Sequence, residues 1–417
     1  MIRSRWFAVA GAAALLGTVP ATAAHAAPLA CGQTVTTSVV LGADLLNCPG
    51  DGLVVGAGGI TIDLNGRTVD GVGLGSGIRN DGFANVTVTN SGSTQALVQQ
   101  FDHGVRLNTG TAGNIVEKLT VQNNEFSGVE LNSAHSGNRV RNNLIDRQSH
   151  RGVTITGGSG GNTVLDNTLT GNQGGGVFVQ RAGGNRVEGN RISGSGGAGL
   201  VLEGSSDNTL LTNTIANSSD GAIVLRLGSN TNLVQGNSSA QSADAGLTVS
   251  DSTGNRLLSN TIQGSGDSGI ALQASHSNTI TGNDVSRNTG GIELSSSHHN
   301  AIHSNIASNT TGTGISLGLS LNNNLQNNQA SQNNSRGIQI TGDAAPGAGN
   351  QLIGNTAGAN KGDGIFVSKA AHTLQGNIAR DNKSWGIYAD PGNIDGGGNR
   401  AGNNAQSGQC MRVVCAP

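Results

Sequence analysis

Aromatic and charged residues are scarce in this chain of 417 residues, and their scarcity excludes one class of partner. Phe, Trp and Tyr together make up 2% of the sequence, and charged residues make up 12%, with 23 Lys and Arg against 25 Asp and Glu. A nucleic-acid-binding surface needs a basic stripe and aromatic side chains on which bases stack. We therefore expect no nucleic-acid partner.

Long apolar runs are also lacking, apart from one at the start of the chain. Arg3 and Arg5 precede an apolar run at residues 6–16, and the small-residue site Ala-His-Ala follows at residues 24–26. This layout is typical of a secretory signal peptide, with cleavage after Ala26. The run is too short to span a bilayer, and no later segment is apolar for long enough. We therefore expect a soluble, secreted mature protein without membrane insertion.

Cysteine is rare, and the four cysteines form one pair near each end of the chain. Cys31 and Cys48 make up the first pair, and Cys410 and Cys415 the second. An exported protein meets an oxidising compartment that permits disulfides. Three pairings are possible in principle, but cysteines at opposite ends of a long molecule do not meet, so we predict one local disulfide at each end.

A four-residue unit recurs through most of the chain and indicates a repeat protein. It consists of a small residue followed by an aliphatic, a variable and an aliphatic residue, and it occurs thirteen times between Gly104 and Ala389. The units start 22 to 24 residues apart, except for a step of 27 between Gly337 and Gly364, which we interpret as a surface loop at residues 342–347. A fixed period of this length indicates a solenoid of stacked coils.

Asparagine occupies two further columns in step with this unit. Asn138 and Asn143 mark one coil, and the same pair recurs in the following coils as far as Asn350 and Asn355. Aliphatic residues alternate between the columns, which predicts three short strands in each coil and no helix. We expect Asn to adopt the left-handed backbone of a corner and to bond the equivalent Asn of the next coil, and the starting Gly to supply a positive φ at the remaining corner.

These units resemble the right-handed parallel β-helix proteins of the pectate-lyase-like group, in particular the bacterial branch related to the periplasmic copper-accessory protein NosD. The resemblance rests on the repeated Gly-Ile-x-Leu and Asn-x-Ile-x-x-Asn units and on the opening segment at residues 59–71, and it covers nearly all of the chain after the first 30 residues. It implies an all-β fold, a single-stranded right-handed parallel β-helix with about 22–24 residues per coil and disulfide-stapled ends. Because this fold serves many activities, it does not decide the function.

The repeat divides the chain into one elongated body with two ends. We assign residues 1–26 to a signal peptide, 27–59 to an N-terminal cap, 60–398 to the β-helix and 399–417 to a C-terminal disulfide cap. The ends of a β-helix are open sheet edges that would recruit other chains, and caps prevent that pairing. We therefore expect a monomer.

Charged residues concentrate in the first full coils. Residues 101–151 hold eleven Asp, Glu, Lys and Arg and three His, whereas residues 228–348 hold nine charged residues in all. When the coils are aligned on their starting Gly, many of these side chains fall into neighbouring outward columns of one sheet. With Arg147 beside them, the candidate catalytic residues are Asp102, His103, Arg106, Glu130, Asp146, His150 and Arg151.

Such a set contains what the chemistry of an acidic polysaccharide requires. An arginine can neutralise the sugar carboxylate, and a histidine, arginine or carboxylate can take a proton from the adjacent carbon. In the alternative, structural interpretation, Arg106 and Glu130 form a cross-strand ion pair worth roughly 0.2 to 1 kcal/mol, and the other charges form a solvated face. The motifs of the related enzymes do not assign a catalytic role to any residue of this chain. The mannuronan epimerase signature Asp-Pro-His-Asp is absent, and the nearest segment, at residues 146–151, lacks the Pro and the second Asp.

A second cluster consists of histidines. His276 and His298 occupy the same position in successive coils, and His299 and His303 follow closely. Rings stacked one rung apart are within reach of a shared metal ion, so these four residues are a candidate metal site. The alternative is a polar turn in which histidine is tolerated. No cofactor is otherwise evident, and a divalent cation is the one candidate.

Three functions stay open at this point. The first is a secreted protein that binds or processes extracellular acidic polysaccharide or cell-wall glycan along its ribbed face, as a lyase, epimerase or glycoside hydrolase if it is an enzyme. The second is a non-catalytic structural or surface-interaction rod. The third is a metal-handling accessory of the NosD type.

Overall fold

The computed structural model describes residues 29–342, 347–369 and 371–417. The predicted signal peptide and most of the predicted loop at 342–347 lie outside these ranges. Within them the chain winds as a parallel β-helix of about 16 turns, in which strands of successive coils pair in parallel and form three sheets. The predicted fold class is confirmed, and the described ranges contain no helix long and apolar enough to cross a membrane.

The first sheet carries the repeated Gly-aliphatic unit. Its register places each unit over the next, with Val105 beside Val129 and Arg106 beside Glu130. The aliphatic residues are buried in a core of stacked Val, Ile and Leu, and the variable residue between them points outward. The 17 strands of this sheet are Gln33–Val35, Leu53–Val55, Ser76–Asn80, His103–Leu107, Ser127–Asn132, Arg151–Thr156, Gly175–Gln180, Leu200–Glu203, Ile223–Arg226, Leu247–Ser250, Ser268–Gln273, Gly290–Ser295, Ile315–Gly318, Ile338–Thr341, Ile365–Val367, Ile387–Ala389 and Cys410–Met411.

The second sheet follows the first Asn column in each coil. The 16 strands of this sheet are Val39–Val40, Thr61–Asp63, Thr87–Thr89, Ile115–Glu117, Arg139–Arg141, Thr163–Leu165, Arg186–Glu188, Thr209–Leu211, Leu233–Gln235, Arg256–Leu258, Thr279–Thr281, Ala301–His303, Asn324–Gln326, Gln351–Ile353, Thr373–Gln375 and Ile394–Asp395.

The third sheet is divided into two parts. Between the parts, three successive coils pair only through single bridges at Asp284, Ile306 and Gln329. Three strands in each coil are therefore confirmed except in this short stretch. The ten strands of the first part are Leu45–Cys48, Thr68–Gly71, Ala96–Gln99, Leu119–Gln122, Leu144–Asp146, Thr168–Thr170, Arg191–Ser193, Thr214–Ala216, Ser238–Ala240 and Thr261–Gln263, and the four of the second are Thr356–Gly358, Ile378–Arg380, Asn399–Gly402 and Cys415–Ala416.

Side-chain amides form ladders at the corners of the coils. In the first column, Oδ1 of Asn162 accepts hydrogen bonds from the backbone N–H and from Nδ2 of Asn138, at 3.1 and 2.9 Å. The second column repeats this pattern, with Nδ2 of Asn213 donating to Oδ1 of Asn237 at 3.0 Å. Because these amides are buried, each one satisfies backbone groups that water does not reach. The predicted Asn ladders are confirmed.

A third ladder was not predicted, because its residue types vary along the rod. It begins with Asn124, whose Nδ2 donates to Oε1 of Gln148 at 3.0 Å, and ends in the last coils with Asn residues such as Asn333. Ser and Thr occupy several of the intermediate positions, as at Ser265 and Thr310. The three ladders together fix the three-sided cross-section of the coil.

Two expectations about the backbone are wrong. The left-handed residue is the one that precedes most ladder amides, such as Asn142 (φ 54°), and the ladder residue Asn143 itself does not have a positive φ. The starting Gly of the repeated unit does not have a positive φ either. A Cβ on Gly104 would overlap Cγ1 of Val121 and the carbonyl oxygen of Gly128, so this position requires glycine because the interior has no room for a side chain.

The two predicted disulfides are present. Cys31 bonds to Cys48, and Cys410 bonds to Cys415. Parallel pairing continues into both segments that were expected to be caps, since Gln33–Val35 pairs with Leu53–Val55 and Asn399–Gly402 pairs with Ile378–Arg380. The disulfides therefore close the outermost coils of the stack itself, and the domain boundaries stay a prediction.

The ladders lead to a test with two adjacent asparagines. Asn333 is buried, accepts from Thr310 and donates to the carbonyl oxygen of Ala307, whereas Asn334 is exposed. We expect Asn333→Ala to lower the free energy of unfolding by about 1–3 kcal/mol, because backbone groups would be left unpaired in the interior. Asn334→Ala should change it by less than about 0.5 kcal/mol. Urea unfolding of the two variants measures the difference, and equal effects would contradict the ladder's role.

A histidine replaces Asn near the end of the first ladder and makes stability depend on pH. Nδ1 of the fully buried His372 accepts the backbone N–H of Asn350 at 3.0 Å, and Nε2 lies 3.3 Å from the carbonyl oxygen of Gly342. Burial lowers the pKa of His372 below its ordinary value of 6.5. The unfolded chain therefore takes up a proton that the folded chain does not as the pH falls below 6.5, and the folded state loses stability there.

We expect His372→Asn to remove this contribution while restoring the ladder amide. The wild-type protein should lose more unfolding free energy than the variant between about pH 7.5 and about pH 5.5, as measured by urea unfolding at each pH. Other histidines are common to both proteins, so the difference between them isolates this residue. Parallel stability curves would show that His372 does not couple to folding.

Candidate functional site

The outward face of the first sheet brings predicted residues together as the alignment of the coils indicated. Arg106 lies beside Glu130 on the next strand, and His103, Ser127 and Arg151 lie side by side on three successive strands. Each pair is held by the parallel register of strands whose aliphatic residues are buried beneath them. These residues therefore lie on paired strands rather than on loops.

A solvent-open cleft of about 320 Å³ lies over these strands. Four of the predicted residues, His103, Glu130, His150 and Arg151, meet at this cleft. The full lining consists of His103, Phe126, Ser127, Glu130, His150, Arg151, Thr154 and Thr156.

Glu130 holds two cationic or basic groups at one end of the cleft. Its Oε2 forms an ion pair with Arg106, 2.7 Å from Nε, and lies 3.6 Å from Nε2 of His103, and neither contact has the alignment of a hydrogen bond. Burial lowers the pKa of His103, although the Glu130 carboxylate opposes that shift. His103 is thus neutral at pH 7, and its buried Nδ1 has no hydrogen-bond partner among the described residues. A neutral imidazole with a free nitrogen can accept a proton.

Arg151 is the cation at the other end of the cleft. Its guanidinium lies on the ring of Phe178, with 3.4 Å between Cζ and the ring centroid. Burial lowers the pKa of Arg151, with Glu203 opposing and Arg226 adding to the shift, but an arginine stays protonated at neutral pH. Its buried Nε has no partner in the described part of the chain. Arg151 therefore keeps an unused donor for a bound anion.

His150 and Phe126 complete the lining between these ends. Burial and the charge of Arg151 lower the pKa of His150, so this imidazole is also neutral at pH 7. Phe126 is 53% exposed and stacks on His103, with 5.6 Å between the ring centroids. The cleft thus combines the Arg151 cation, the Glu130 carboxylate, two neutral imidazoles and an exposed aromatic ring.

The remaining candidates do not line this cleft. Oδ2 of Asp102 accepts the backbone N–H of Gly75 at 3.2 Å. Asp146 ends a strand of the third sheet, where it pairs with Arg147 at 2.7 Å and accepts the hydroxyl of Thr170 at 2.6 Å. A catalytic role for Asp102 and Asp146 stays a prediction, and the structure gives both carboxylates partners of their own.

Sequence reasoning missed several residues of the site. Ser127 and Thr154 line the cleft with their hydroxyl oxygens 2.8 Å apart, Phe126 supplies its exposed ring, and the ring of Phe178 lies beneath Arg151. A signal for Phe126 was available, because Phe is rare in this chain and Phe126 falls in the charged segment, whereas Phe178 lies outside that segment. Ser and Thr are too common on outward positions to be distinguished from other coils.

The histidine cluster is arranged as a ladder rather than as a ligand set. The rings of His276 and His298 are parallel, with centroids 5.0 Å apart. Nδ1 of His276 accepts the backbone N–H of His298, and Nδ1 of His298 accepts that of Leu321, both at 3.0 Å. Neutral rings in this arrangement carry their proton on Nε2, so neither ring has a free nitrogen for a metal ion.

The other two histidines do not complete a metal site with this pair. His299 is an exposed corner residue with φ 58°, and His303 ends a strand of the second sheet. In residues 29–342, 347–369 and 371–417, no group of three or more His, Cys, Asp and Glu could hold a metal ion. The metal site at His276, His298, His299 and His303 stays a prediction without support from this geometry.

Comparison with known proteins gives one family and several distant structures. A family model described as "Periplasmic copper-binding protein (NosD)" matches residues 58–239 and 223–356. Among solved structures, a double mutant of the periplasmic alginate epimerase AlgG matches with 14% identity, 80% of this chain, 77% of that chain and a TM-score of 0.49. The A-module of the Azotobacter vinelandii mannuronan C-5 epimerase AlgE4 matches with 14% identity, 84% and 91% coverage and a TM-score of 0.46.

The catalytic unit of a GH87 alpha-1,3-glucanase from Streptomyces thermodiastaticus matches with 14% identity, 91% of this chain, 64% of that chain and a TM-score of 0.40. At these identities and TM-scores, the structural similarity does not indicate what activity this chain has. The search of curated proteins finds no match.

The electrostatics of the cleft are testable through His103. Because the charge of Glu130 raises the pKa of His103 and that of Arg106 lowers it, we expect Glu130→Gln to lower this pKa and Arg106→Gln to raise it. Asp146→Asn is the matched control, since its carboxylate lies on another sheet, and it should leave the titration of His103 unchanged. Titration of the imidazole resonances by NMR measures all three. A His103 pKa that does not respond to Glu130→Gln would contradict the arrangement.

Proposed function

The chain belongs to the NosD family, and we propose that it binds an acidic extracellular polysaccharide in the cleft between His103 and Arg151. Two disulfides fit a location outside the cytoplasm, in agreement with the periplasmic description of the family. We propose that the protein is secreted and meets its ligand there.

The observation that carries this proposal is the state of Arg151. Its guanidinium carbon lies 3.4 Å from the centroid of the Phe178 ring, and its Nε, at an open cleft, has no hydrogen-bond partner among the described residues. A planar guanidinium matches a carboxylate with two parallel hydrogen bonds, and restraint by the ring reduces the entropy lost on binding. A sugar carboxylate is such a ligand group, and the exposed ring of Phe126 offers an apolar surface for the face of the same sugar or of its neighbour.

The cleft also holds the groups needed to process such a ligand. Once Arg151 neutralises the carboxylate, the proton on the adjacent carbon becomes more acidic, and the neutral His103 or His150 can accept it. Removal of that proton is the first step shared by elimination and epimerisation. Binding of the carboxylate depends on Arg151, whereas turnover additionally requires an imidazole.

The family description names copper, and a metal-handling function is the alternative. It is supported by that description only, because the described residues offer no set of three ligands and all four cysteines are in disulfides. The geometry therefore favours the polysaccharide. A purely structural rod would need neither the open cleft nor the free donor of Arg151.

The proposal predicts a charge-dependent affinity for polyuronates. Arg151→Ala should weaken binding of polygalacturonate and of alginate roughly 10-fold to 100-fold, the loss of a charge-assisted hydrogen bond worth about 1.5–3 kcal/mol. Arg147→Ala is the matched control, because this arginine directly follows a strand of the third sheet and its side chain is 62% exposed, and the variant should bind as the wild type does. Isothermal titration measures both. Equal affinity of wild type and Arg151→Ala, or equal affinity for neutral dextran, would overturn the proposal.

The same ligands separate binding from turnover. If the protein is a lyase or an epimerase, the double variant His103→Gln/His150→Gln should abolish product formation while it retains most of the affinity. Product release is followed by absorbance of the unsaturated sugar and by NMR of the polymer. Wild-type protein that binds polyuronate and forms no product is a binding protein.

A further inference from the structure

A second group of aromatic residues lies near the other end of the first sheet. Phe366 and Tyr388 are neighbours on adjacent strands, with ring centroids 5.2 Å apart and planes 10° apart. The guanidinium of Arg336 lies on the other ring face of this stack, 3.7 Å from the centroid of Phe366. We call the following set the distal cluster: Arg336, Asp363, Phe366, Trp385, Tyr388 and Asp390.

Polar contacts hold the distal cluster in place at the surface. Asp363 accepts from Nε of Arg336 at 3.1 Å and from the backbone N–H of Trp385 at 3.1 Å. The hydroxyl of Tyr388 donates to Oδ1 of Asp390 at 3.2 Å. The three rings are only partly buried and do not belong to the hydrophobic core. Rings that are fixed but not buried contribute little to the interior and are preorganised for an external contact.

The distal cluster and the cleft lie on the same face of the rod. Phe178, below Arg151, and Phe366 occupy the same outward column, eight strand-to-strand steps apart. At about 4.8 Å per step the two rings are roughly 38 Å apart. The residues of the column between them carry no aromatic ring and are Val201, Val224, Thr248, Ala271, Glu293, Ser316 and Gln339.

A further depression interrupts this column midway. It has a volume of about 210 Å³ and is lined by residues that include Ser268, Glu293 and Ser316. The cleft, this depression and the distal cluster therefore follow one another along the axis of the rod. An extended ligand that lies on this face meets all three in turn.

The distribution of aromatic residues supports a shared role for the cleft and the distal cluster. Of the seven Phe, Trp and Tyr in the described ranges, Phe101 is buried in the core and Phe83 packs against it. The other five belong to the cleft, to the ring beneath Arg151 or to the distal cluster: Phe126, Phe178, Phe366, Trp385 and Tyr388. Both ends also place an arginine on a phenylalanine ring, at 3.4 and 3.7 Å.

We propose that the distal cluster is a second binding site for the same polymer, so that one extended polysaccharide chain runs along the rod and contacts both ends of the face. This inference rests on the proposed function of the cleft. A short oligosaccharide is too small to reach both sites. A long chain bound at the cleft presents its next segments to the distal cluster at high effective concentration, which raises its affinity without any change at the cleft.

Chain length is the test of this proposal. Wild-type protein should bind long polygalacturonate on the order of 10²-fold more tightly per chain than it binds tetragalacturonate. The double variant Trp385→Ala/Tyr388→Ala should bind the polymer only as tightly as the tetramer, with its affinity for the tetramer unchanged. Tyr388→Phe, which keeps the ring, should retain the length dependence.

Leu319→Ala is the control for loss of exposed apolar surface, because Leu319 is 68% exposed and lies outside the column, and it should behave as the wild type. Urea unfolding confirms that each variant is folded. The comparison of polymer and tetramer affinities can be made on the wild type alone, so it does not depend on the folding of any variant. Equal affinities of wild type for polymer and tetramer, both still lowered by Arg151→Ala, would overturn the second site and leave the function of the cleft intact. If neither ligand binds the wild type, both proposals fail.

Discussion

The hydrogen bond between equivalent buried amides of successive coils is the interaction on which the rest of this structure depends. Each corner of the coil turns the backbone away from the sheets, which leaves N–H and C=O groups without strand partners in the interior. An amide can donate and accept at once, so a column of Asn satisfies the corner of its own coil and that of the next. With the corners satisfied in this way, the strands stay short and in register over the whole rod.

Register in turn creates the site. The charged residues of the cleft come from separate coils, and only the parallel alignment of the strands brings His103, Glu130 and Arg151 to one opening. No contiguous motif encodes such a site. A substitution at a distant corner therefore acts on the cleft through the alignment of its strands, whereas a substitution on the outward column changes chemistry and leaves the fold intact.

The fold was predictable because every coil repeats the same physical problem and solves it with the same residues. The Gly-aliphatic unit and the paired Asn columns thus sufficed for the sheets and for two of the three ladders, and the positions of the cysteines near the two ends sufficed for the disulfides. Two backbone assignments were wrong for one reason: a sequence column shows which residue recurs, but not whether it recurs for its φ or for its size, as Gly104 illustrates. The residues that lie side by side at the cleft were also predictable from the alignment of the coils. The contact between Arg151 and Phe178 was not, because the sequence does not show how one side chain packs on another.

The single bridges at Asp284, Ile306 and Gln329 give the rod a mechanical consequence. On that side, three coils share fewer backbone hydrogen bonds than their neighbours, while the first and second sheets continue without interruption. The rod is therefore less stiff on the side of the third sheet than on the sides of the other two sheets. Bending of the rod concentrates in this segment, and the uninterrupted first and second sheets determine its direction. Because the segment lies between the cleft and the distal cluster, a small flexure there changes the curvature of the face that joins them.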